Sequence, residues 1–203
     1  MGFVNRIKYN AEKIGGNVID FSHWRSVDDD ALQQLPYHIA EWLAEFGSLT
    51  EKLSRYVDKV KLEVLHESLQ LAHPHENGIL SLAEKEKSHM REVILYGPTK
   101  PWIFARTIVP EQTGYLIQSL GDKPLGSILF SGKQLSRQFL HFKKLGTDDR
   151  LFKAAKKHFS GNDDYLWARR SLWTNKHHKT GSDVELSMLV CEAFLPDAPL
   201  YKK

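Results

Sequence analysis

The stretch that decides the fold is Asp183-Val-Glu-Leu-Ser-Met-Leu-Val-Cys-Glu-Ala-Phe-Leu-Pro196, near the end of the 203-residue chain. Its apolar content and the proline that closes it are typical of a β-strand. Successive side chains of a strand point to opposite faces, and here both faces are largely apolar, which predicts a central strand covered on both sides. Glu192 falls on the face with Met188 and Val190. An ionised carboxylate in such a row is costly unless something pairs with it or uses it.

A second strand repeats this pattern with the opposite charge. In His89-Met-Arg-Glu-Val-Ile-Leu-Tyr96, Arg91 shares a face with Val93 and Leu95. A guanidinium is always charged, and its planar fork of N–H donors suits a carboxylate. Spacing alone leaves two interpretations open: Arg91 and Glu192 form structural ion pairs, or they line a closed pocket for a small anion. In the second interpretation, Arg91 binds a carboxylate and Glu192 hydrogen-bonds a hydroxyl or moves a proton.

The composition predicts one soluble domain that spans residues 1–203. The net charge of +3 and the pI of about 8.8 fit a protein that handles small anions, but they are too weak to indicate nucleic acid. The single cysteine, Cys191, excludes an internal disulfide and indicates a reducing compartment. The sequence contains neither a signal peptide nor an apolar run long enough for a membrane span. We therefore expect a cytoplasmic protein without nucleic-acid or membrane partners.

The N-terminal third reads as helical after an irregular start. Residues 1–27 show no clear period and predict a loosely held segment of the domain. An apolar stripe at helical spacing follows over residues 28–46, and Pro36 divides it into two pieces. Ser48 with Glu51 three residues later has the spacing of a capping box, which predicts a second helix through about Tyr56.

The remaining chain alternates strand patterns with turns. Residues 73–78 are rich in structure-breaking residues and predict a turn, while 112–120 predict a helical turn or two. Residues 127–130 read as a short apolar continuation, and 136–145 as strand or helix, with strand favoured for the first half. A helix is predicted from Thr147. Strand patterns occur at 61–69, 89–96, 102–109, 166–173 and 183–195. Hairpin-linked strands with helices before and between them predict an α+β fold with an antiparallel sheet.

Two further arginine positions are weaker candidates for the pocket. Arg106 shares its face with Trp102 and Phe104, so it is a candidate second anion contact, although a stacked or edge arginine is the more ordinary interpretation. Arg169 and Arg170 point to opposite faces of one strand, so at most one points inward and the other is expected to be solvated.

Metal, nucleophile and cofactor chemistry find little support in the sequence. The pairs His73/His75 and His177/His178 lack a zinc-binding spacing and a nearby cysteine, so we predict no metal site. Cys191 has no nucleophile elbow around it and is expected to be a core residue. The chain also lacks a phosphate-binding glycine loop and a dinucleotide fingerprint, so no cofactor is expected.

Five stretches together resemble the family of bacterial chorismate pyruvate-lyases. In order, they are Arg91-Glu-Val-Ile-Leu, Pro101-Trp-Ile-Phe-Ala-Arg-Thr-Ile-Val-Pro110, Leu120-Gly-Asp-Lys-Pro-Leu-Gly-Ser-Ile-Leu-Phe130, Leu166-Trp-Ala-Arg-Arg-Ser171 and Glu192-Ala-Phe-Leu-Pro-Asp-Ala-Pro-Leu-Tyr201. The resemblance covers most of residues 88–201. The N-terminal region is similar more loosely, mainly at Trp42-Leu and Gly47-Ser-Leu-Thr50.

The resemblance implies a cofactor-free enzyme of ubiquinone biosynthesis that converts chorismate to 4-hydroxybenzoate and pyruvate. It also implies a highly twisted antiparallel sheet with helical flaps that close over a buried site. Such a site would release its product slowly and would be inhibited by 4-hydroxybenzoate. We expect a monomer whose partners are chorismate and 4-hydroxybenzoate.

Residue roles follow from the resemblance position by position. Arg91 matches the arginine that binds the ring carboxylate, and Glu192 matches the glutamate that contacts the ring hydroxyl. Leu125 and Leu49 match residues whose backbone N–H groups also bind the substrate, with Leu49 standing where the family often has methionine. Arg106 or Arg170 is a candidate for the carboxylate of the departing enolpyruvyl group. Residues 142–164 form a longer link than in the family.

The same fold is also compatible with a second class of function, in which the protein binds a small molecule but catalyses no reaction. The sheet resembles the effector domains of some bacterial transcription regulators, which would make the protein a non-catalytic binder of small carboxylates. Such a domain normally accompanies a DNA-binding module, and residues 1–60 show no basic recognition helix. A purely structural protein gives no reason for inward charges at Arg91 and Glu192.

Overall fold

The computed structural model describes residues 20–130, 135–175 and 186–202. The strands in these ranges form one antiparallel sheet of seven strands, in the spatial order β1-β5-β6-β7-β4-β3-β2. This arrangement confirms the predicted α+β fold with an antiparallel sheet. The strands are β1 Arg25–Ser26, β2 Lys61–Leu71, β3 Lys87–Tyr96, β4 Pro101–Pro110, β5 Leu135–Gly146, β6 Tyr165–Asn175 and β7 Ser187–Phe194.

β7 is the central strand of the sheet. It comes last in sequence among the seven, yet it lies between β6 and β4. Every residue of β7 is buried except Glu192, which is half-buried. Burial on both faces explains why the strand is apolar in almost every position, and it confirms the prediction of a central strand. Strands β2, β3 and β4 form a meander on one side of β7, while β6, β5 and β1 continue the sheet on the other side.

Short helices connect and cover the strands. Pro36 separates a 3-10 turn at Asp30–Gln34 from the first α-helix, as its position predicted. Ser48 caps the second helix, because its Oγ accepts a hydrogen bond from the Glu51 N–H at 3.4 Å. The α-helices are α1 Tyr37–Leu43, α2 Leu49–Leu53, α3 Pro74–Leu80, α4 Tyr115–Gln118, α5 Gly126–Leu129 and α6 Arg150–Ala155. Within the described residues, no helix is long and apolar enough to cross a membrane.

Three local predictions were wrong or incomplete. Residues 73–78 were predicted as a turn, but they begin α3. A proline is tolerated at the first helical position, and the Glu76 carboxylate accepts the His73 N–H at 2.9 Å, so this sequence starts a helix instead of ending one. Residues 127–130 lie mostly in α5 rather than in an apolar continuation of a loop. Residues 136–145 are strand throughout, not only in their first half.

The structure also corrects the extent of the loosely held N-terminal segment. Residues 1–19 lie outside the described part of the chain, whereas residues 20–27 are packed against the sheet. Arg25 and Ser26 pair with β5, and Phe21 packs its ring against Phe142 and Trp167. The prediction of a loose segment therefore does not apply to residues 20–27.

The long link at residues 142–164 covers the face of the sheet that we call the reverse face. It consists of the end of β5, helix α6 and a 3-10 turn at Lys156–His158. Phe152 and Ala155 of α6 pack there with Ile94 and Phe104. Since the opposite face carries Arg91 and Glu192, this link supports the core and does not cap the pocket.

Candidate active site

A pocket lies on one face of the sheet, between the strands and two short helical segments. Residues 44–54 contain α2, and we call them the first flap; residues 111–130 contain α4 and α5, and we call them the second flap. The flaps approach each other closely, because a Cβ added at Gly126 would lie 3.0 Å from Ser48 Oγ. Much of the pocket wall is apolar and comes from Leu62, Val93, Leu95, Leu129, Trp173 and Val190.

Arg91 lies on β3 at the floor of this pocket and is only 2% exposed. Its Nη2 donates to the carbonyl oxygen of Gly121 at 2.6 Å, and its Nη1 donates to that of Lys123 at 3.3 Å. Its Nε lies 2.8 Å from Glu67 Oε1, but the N–H is not aligned with that oxygen, so the contact is an ion pair rather than a hydrogen bond. Each Nη of a guanidinium carries two N–H donors, so one on Nη1 and one on Nη2 remain for a ligand carboxylate, while the Nε N–H stays beside Glu67.

The pKa of Arg91 responds to this environment. Burial lowers it below the ordinary arginine value, and the neighbouring Glu67 carboxylate acts in the opposite direction. The residue also links two parts of the site, because Gly121 and Lys123 belong to the second flap while Arg91 belongs to the sheet. A ligand carboxylate bound to Arg91 would therefore lie between the second flap and strand β3.

Glu192 points into the same pocket from β7 and is paired with Arg169 on β6. Arg169 Nε donates to Glu192 Oε2 at 2.5 Å, and Arg169 Nη1 donates to the carbonyl oxygen of Glu45 at 2.6 Å. Glu192 thus has a structural partner, but that partner is Arg169 and not Arg91. Its Oε1 has no protein donor within the described residues, so it is available to a ligand hydroxyl.

Arg137 is a pocket residue that the sequence did not reveal. It lies on β5, and its guanidinium packs over the Trp173 ring with 4.5 Å between Cζ and the ring centroid. Counting alternate residues back from Phe142, which packs in the core on the pocket side, places Arg137 on the reverse face. A β-bulge between Arg137 and Phe139 inserts one residue and turns Arg137 to the pocket. Sequence alternation gives no signal of that bulge.

Arg106 and Arg170 lie on the reverse face, so they do not reach the pocket. Arg106 Nε and Nη2 donate to the Glu76 carboxylate at 2.9 and 3.1 Å, and its Nη1 donates to Glu92 at 2.8 Å. Their suggested contact with the enolpyruvyl carboxylate is therefore wrong: the neighbours that line the pocket are Ala105, Thr107 and Arg169.

The structure also corrects the prediction that one member of the Arg169-Arg170 pair is solvated. The two do point to opposite faces, but both are buried. Arg170 packs over the Trp24 ring at 4.5 Å, and its Nη1 lies 2.7 Å from His75 Nε2. Burial lowers the pKa of Arg170. The core on the reverse face accommodates it, although nothing in the sequence indicated that this core would hold an arginine.

Leu49 and Leu125 line the pocket from the two flaps. Leu49 is the first residue of α2, and Leu125 immediately precedes α5. Backbone N–H groups at the start of a helix have no acceptor within that helix. In the described ranges, neither amide donates to another protein group. The pocket therefore brings these two amides together with Arg91 and Glu192.

The remaining candidates from the sequence lie outside the pocket. Cys191 is buried on the reverse face, and burial raises the pKa of its thiol to about 12, so the thiol stays protonated, as expected for a core residue. His73 and His75 lie at the start of α3, whereas His177 and His178 fall outside the described residues. Across residues 20–130, 135–175 and 186–202, no cluster of three or more His, Cys, Asp or Glu side chains could hold a metal ion.

Solved structures identify the class of fold. The effector domain of PhnF from Mycobacterium smegmatis has a TM-score of 0.53 at 13% identity and covers 74% of this chain and 90% of that one. A GntR-family transcriptional regulator from Bacillus cereus has a TM-score of 0.52 at 15% identity, with coverage of 68% and 92%. The chain therefore shares its fold, the chorismate lyase-like fold, with these two structures.

Sequence comparison identifies the family. The family model described as Chorismate lyase matches residues 19–203. A chorismate pyruvate-lyase of Pectobacterium atrosepticum is 33% identical over 171 residues, which cover 82% of each chain. Another, from Hamiltonella defensa, is 30% identical over 192 residues and 91% of each chain. The chain belongs to the chorismate lyase family.

Proposed function

We propose that the protein is a chorismate pyruvate-lyase, which converts chorismate to 4-hydroxybenzoate and pyruvate. The observation that carries this proposal is that Arg91 and Glu192 line the same largely apolar pocket. Their strands, β3 and β7, flank β4, so the strand axes are about 10 Å apart. The two side chains can thus hold the carboxylate and the para hydroxyl of one ring from opposite ends. Membership of the chorismate lyase family supports the same assignment.

The pocket suggests how each group of the substrate is held. The two free N–H donors of Arg91 bind the ring carboxylate, and the amides of Leu49 and Leu125 donate to it from the flaps. Glu192 Oε1 accepts a hydrogen bond from the C4 hydroxyl. Arg169 fixes the Glu192 carboxylate in this orientation through the hydrogen bond to Oε2. Glu192 therefore acts as a positioning group for the hydroxyl.

The reaction needs little chemical assistance from the protein. The C3–O bond breaks, and the enolpyruvyl group departs with its electron pair. The C4 hydrogen leaves as a proton, and its electron pair completes the aromatic ring. The enolate takes up one proton to become pyruvate, so atoms and charge balance without a redox partner. Because aromatisation drives the step, holding the ring in the reactive conformation is the main contribution of the pocket.

Three further properties belong to the same proposal. The product keeps the carboxylate and hydroxyl that the pocket binds, so we expect slow release of 4-hydroxybenzoate and inhibition by it. Opening requires the flaps to separate, which involves the Arg91 bonds to Gly121 and Lys123. We also propose that the enzyme works in the cytoplasm as a monomer, at the first step of ubiquinone biosynthesis.

The test incubates purified protein with chorismate and follows pyruvate and 4-hydroxybenzoate together. Equal amounts of both products are expected. Arg91→Ala should lower kcat/KM about 100-fold or more, because a charge-assisted carboxylate contact is lost, and Glu192→Ala should also lower it strongly. Arg55→Ala, which removes the same charge from an exposed position, is the matched control. Folded wild-type protein that binds 4-hydroxybenzoate but releases no pyruvate would contradict the lyase and indicate a carboxylate sensor.

A further inference from the structure

Among the described residues, one cation of the pocket forms no ion pair. Arg91 is paired with Glu67, and Arg169 is paired with Glu192. Arg137 lines the same pocket, and in the part of the chain that the structure describes it forms no ion pair. Its Nε is buried and has no hydrogen-bond partner there. A buried donor without an acceptor is costly, so an anionic ligand at this position would stabilise the site.

Aromatic side chains hold the Arg137 guanidinium in place. Its Cζ lies 4.5 Å from the Trp173 ring centroid, 5.8 Å from that of Phe46 and 5.9 Å from that of Phe130. Its Nη1 donates to the carbonyl oxygen of Phe46 at 2.8 Å. These contacts use one of its five N–H donors, and they fix the plane of the group without neutralising it. Arg137 is thus ordered before any ligand arrives.

The strand order places Arg137 on the far side of Glu192 from Arg91. Glu192 lies on β7; Arg91 lies two strands away on β3, and Arg137 lies two strands away on β5. Chorismate carries its groups in the same sequence. The ring carboxylate is on C1, the hydroxyl is opposite it on C4, and the enolpyruvyl ether on the neighbouring C3 carries the second carboxylate on the hydroxyl side of the ring.

We propose that Arg137 binds the carboxylate of the enolpyruvyl group of chorismate, an inference that rests on the proposed lyase function. The substrate is a dianion, and each of its carboxylates then meets one arginine that still has free donors. The ring carboxylate is bound at Arg91, and the side-chain carboxylate at Arg137. After the C3–O bond breaks, the carboxylate bound to Arg137 is part of pyruvate, so Arg137 does not bind the aromatic product.

The electrostatics of the pocket agree with this role. Burial and the nearby Arg169 charge lower the pKa of Arg137 to about 10. A bound carboxylate would offset both effects by supplying a counter-charge. The carboxylates of Glu192 and Glu45 act in the opposite direction, but among the described residues neither forms an ion pair with Arg137. The aromatic product, which carries a single carboxylate, would leave Arg137 without an ion-pair partner.

Substrate and product therefore allow a direct test. In Arg137→Gln, the KM for chorismate should rise about 10- to 100-fold through loss of a charge-assisted contact, while the inhibition constant of 4-hydroxybenzoate should stay within about two-fold of wild type. In Arg91→Lys, which alters the anchor for the shared carboxylate, both constants should rise. Arg137→Lys keeps the charge and the stem over Trp173 but loses the fork, so it should show the Arg137→Gln pattern to a smaller degree.

Each outcome decides between clear alternatives. An unchanged KM for chorismate in the Arg137 variants would overturn the inference, and so would an equal loss of chorismate and 4-hydroxybenzoate binding, because that would indicate a structural role. Circular dichroism and urea unfolding establish whether the variants are folded. If Arg137→Gln does not fold, the same comparison is made with Arg137→Lys. If wild-type protein forms neither product, the lyase function itself fails, which the wild-type reaction reveals separately.

Discussion

Glu67 reaches Arg91 from the edge strand β2, and its side chain is 39% exposed. Its carboxylate competes with any ligand for the Arg91 charge. We predict that Glu67→Gln binds 4-hydroxybenzoate more tightly and is inhibited by it more strongly, by a few-fold, because Arg91 loses the carboxylate with which it forms an ion pair. The free energy of unfolding should fall by about 1–3 kcal/mol, because the buried Arg91 keeps its charge while its ion-pair partner, which is partly exposed, becomes neutral. Inhibition kinetics and urea unfolding measure the two effects.

The control for this prediction is Glu63→Gln. It removes the same charge from the same strand, but Glu63 interacts with Tyr96 rather than Arg91. Its inhibition constant should match that of the wild type. Weaker binding of 4-hydroxybenzoate in Glu67→Gln would mean that Glu67 orients Arg91 for the ligand instead of competing with it.

Gly97 shows how one missing methyl group determines the packing of a hairpin. A Cβ at this position would lie 2.0 Å from Cε2 of the buried Trp102 ring. We predict that Gly97→Ala destabilises the protein by about 1–3 kcal/mol, because the ring must shift in a filled core. Gly78→Ala is the matched control: no atom lies within 4 Å of its added Cβ, and alanine in helix α3 should stabilise by about 0.5–1 kcal/mol. Urea midpoints for both variants test the pair, and an unchanged midpoint in Gly97→Ala would argue against the packing described.

The contact between the two flaps should control the release of 4-hydroxybenzoate. Ser48 caps α2 and also faces Gly126 of α5. We predict that Ser48→Ala weakens the closed state by about 1 kcal/mol through loss of the cap, so 4-hydroxybenzoate dissociates several-fold faster. Ser54→Ala is the control, since Ser54 ends the same helix and donates to the Thr50 carbonyl oxygen away from the flap contact. Stopped-flow displacement measures the dissociation rate of 4-hydroxybenzoate from both variants. Equal rates in wild type and Ser48→Ala would show that Ser48 does not hold the flaps closed.

The elements also show which parts of the site were predictable. Alternation along β3 and β7 correctly placed Arg91 and Glu192 on pocket-facing rows, because regular strands follow a period of two. It failed at Arg137, where a bulge in β5 breaks that period. It also could not identify Arg169 as the partner of Glu192, since strand order depends on contacts between distant parts of the chain. The amide positions at Leu49 and Leu125 followed only from the family resemblance, because backbone donors leave no pattern in side chains.

Three histidines of the reverse face, His75, His141 and His158, predict a dependence of stability on pH. Partial desolvation, with the nearby Arg170 charge, lowers the pKa of His75 and His141, and partial desolvation lowers that of His158. In the unfolded chain these residues take up protons near pH 6.5, while in the folded chain they do so only at lower pH. The unfolded state therefore binds more protons in this interval, and stability falls as the pH decreases below about 6.5.

Urea unfolding at pH 7.5 and pH 5.5 tests this prediction. The free energy of unfolding should be lower at pH 5.5. His141→Gln should show a smaller difference between the two values, because its neutral amide does not titrate. A protein that is equally stable at both values, or more stable at pH 5.5, would contradict the assigned direction.

The central place of β7 has a consequence for synthesis on the ribosome. This strand emerges after the other six, yet it joins β4 to β6 and carries Glu192. Until it emerges, the nascent chain has two partial sheets whose inner edges are unpaired and open to association with other chains. Neither partial sheet contains a complete pocket. Folding of the nascent chain should therefore finish late and in one step, and the period before that step is when this protein depends most on chaperones.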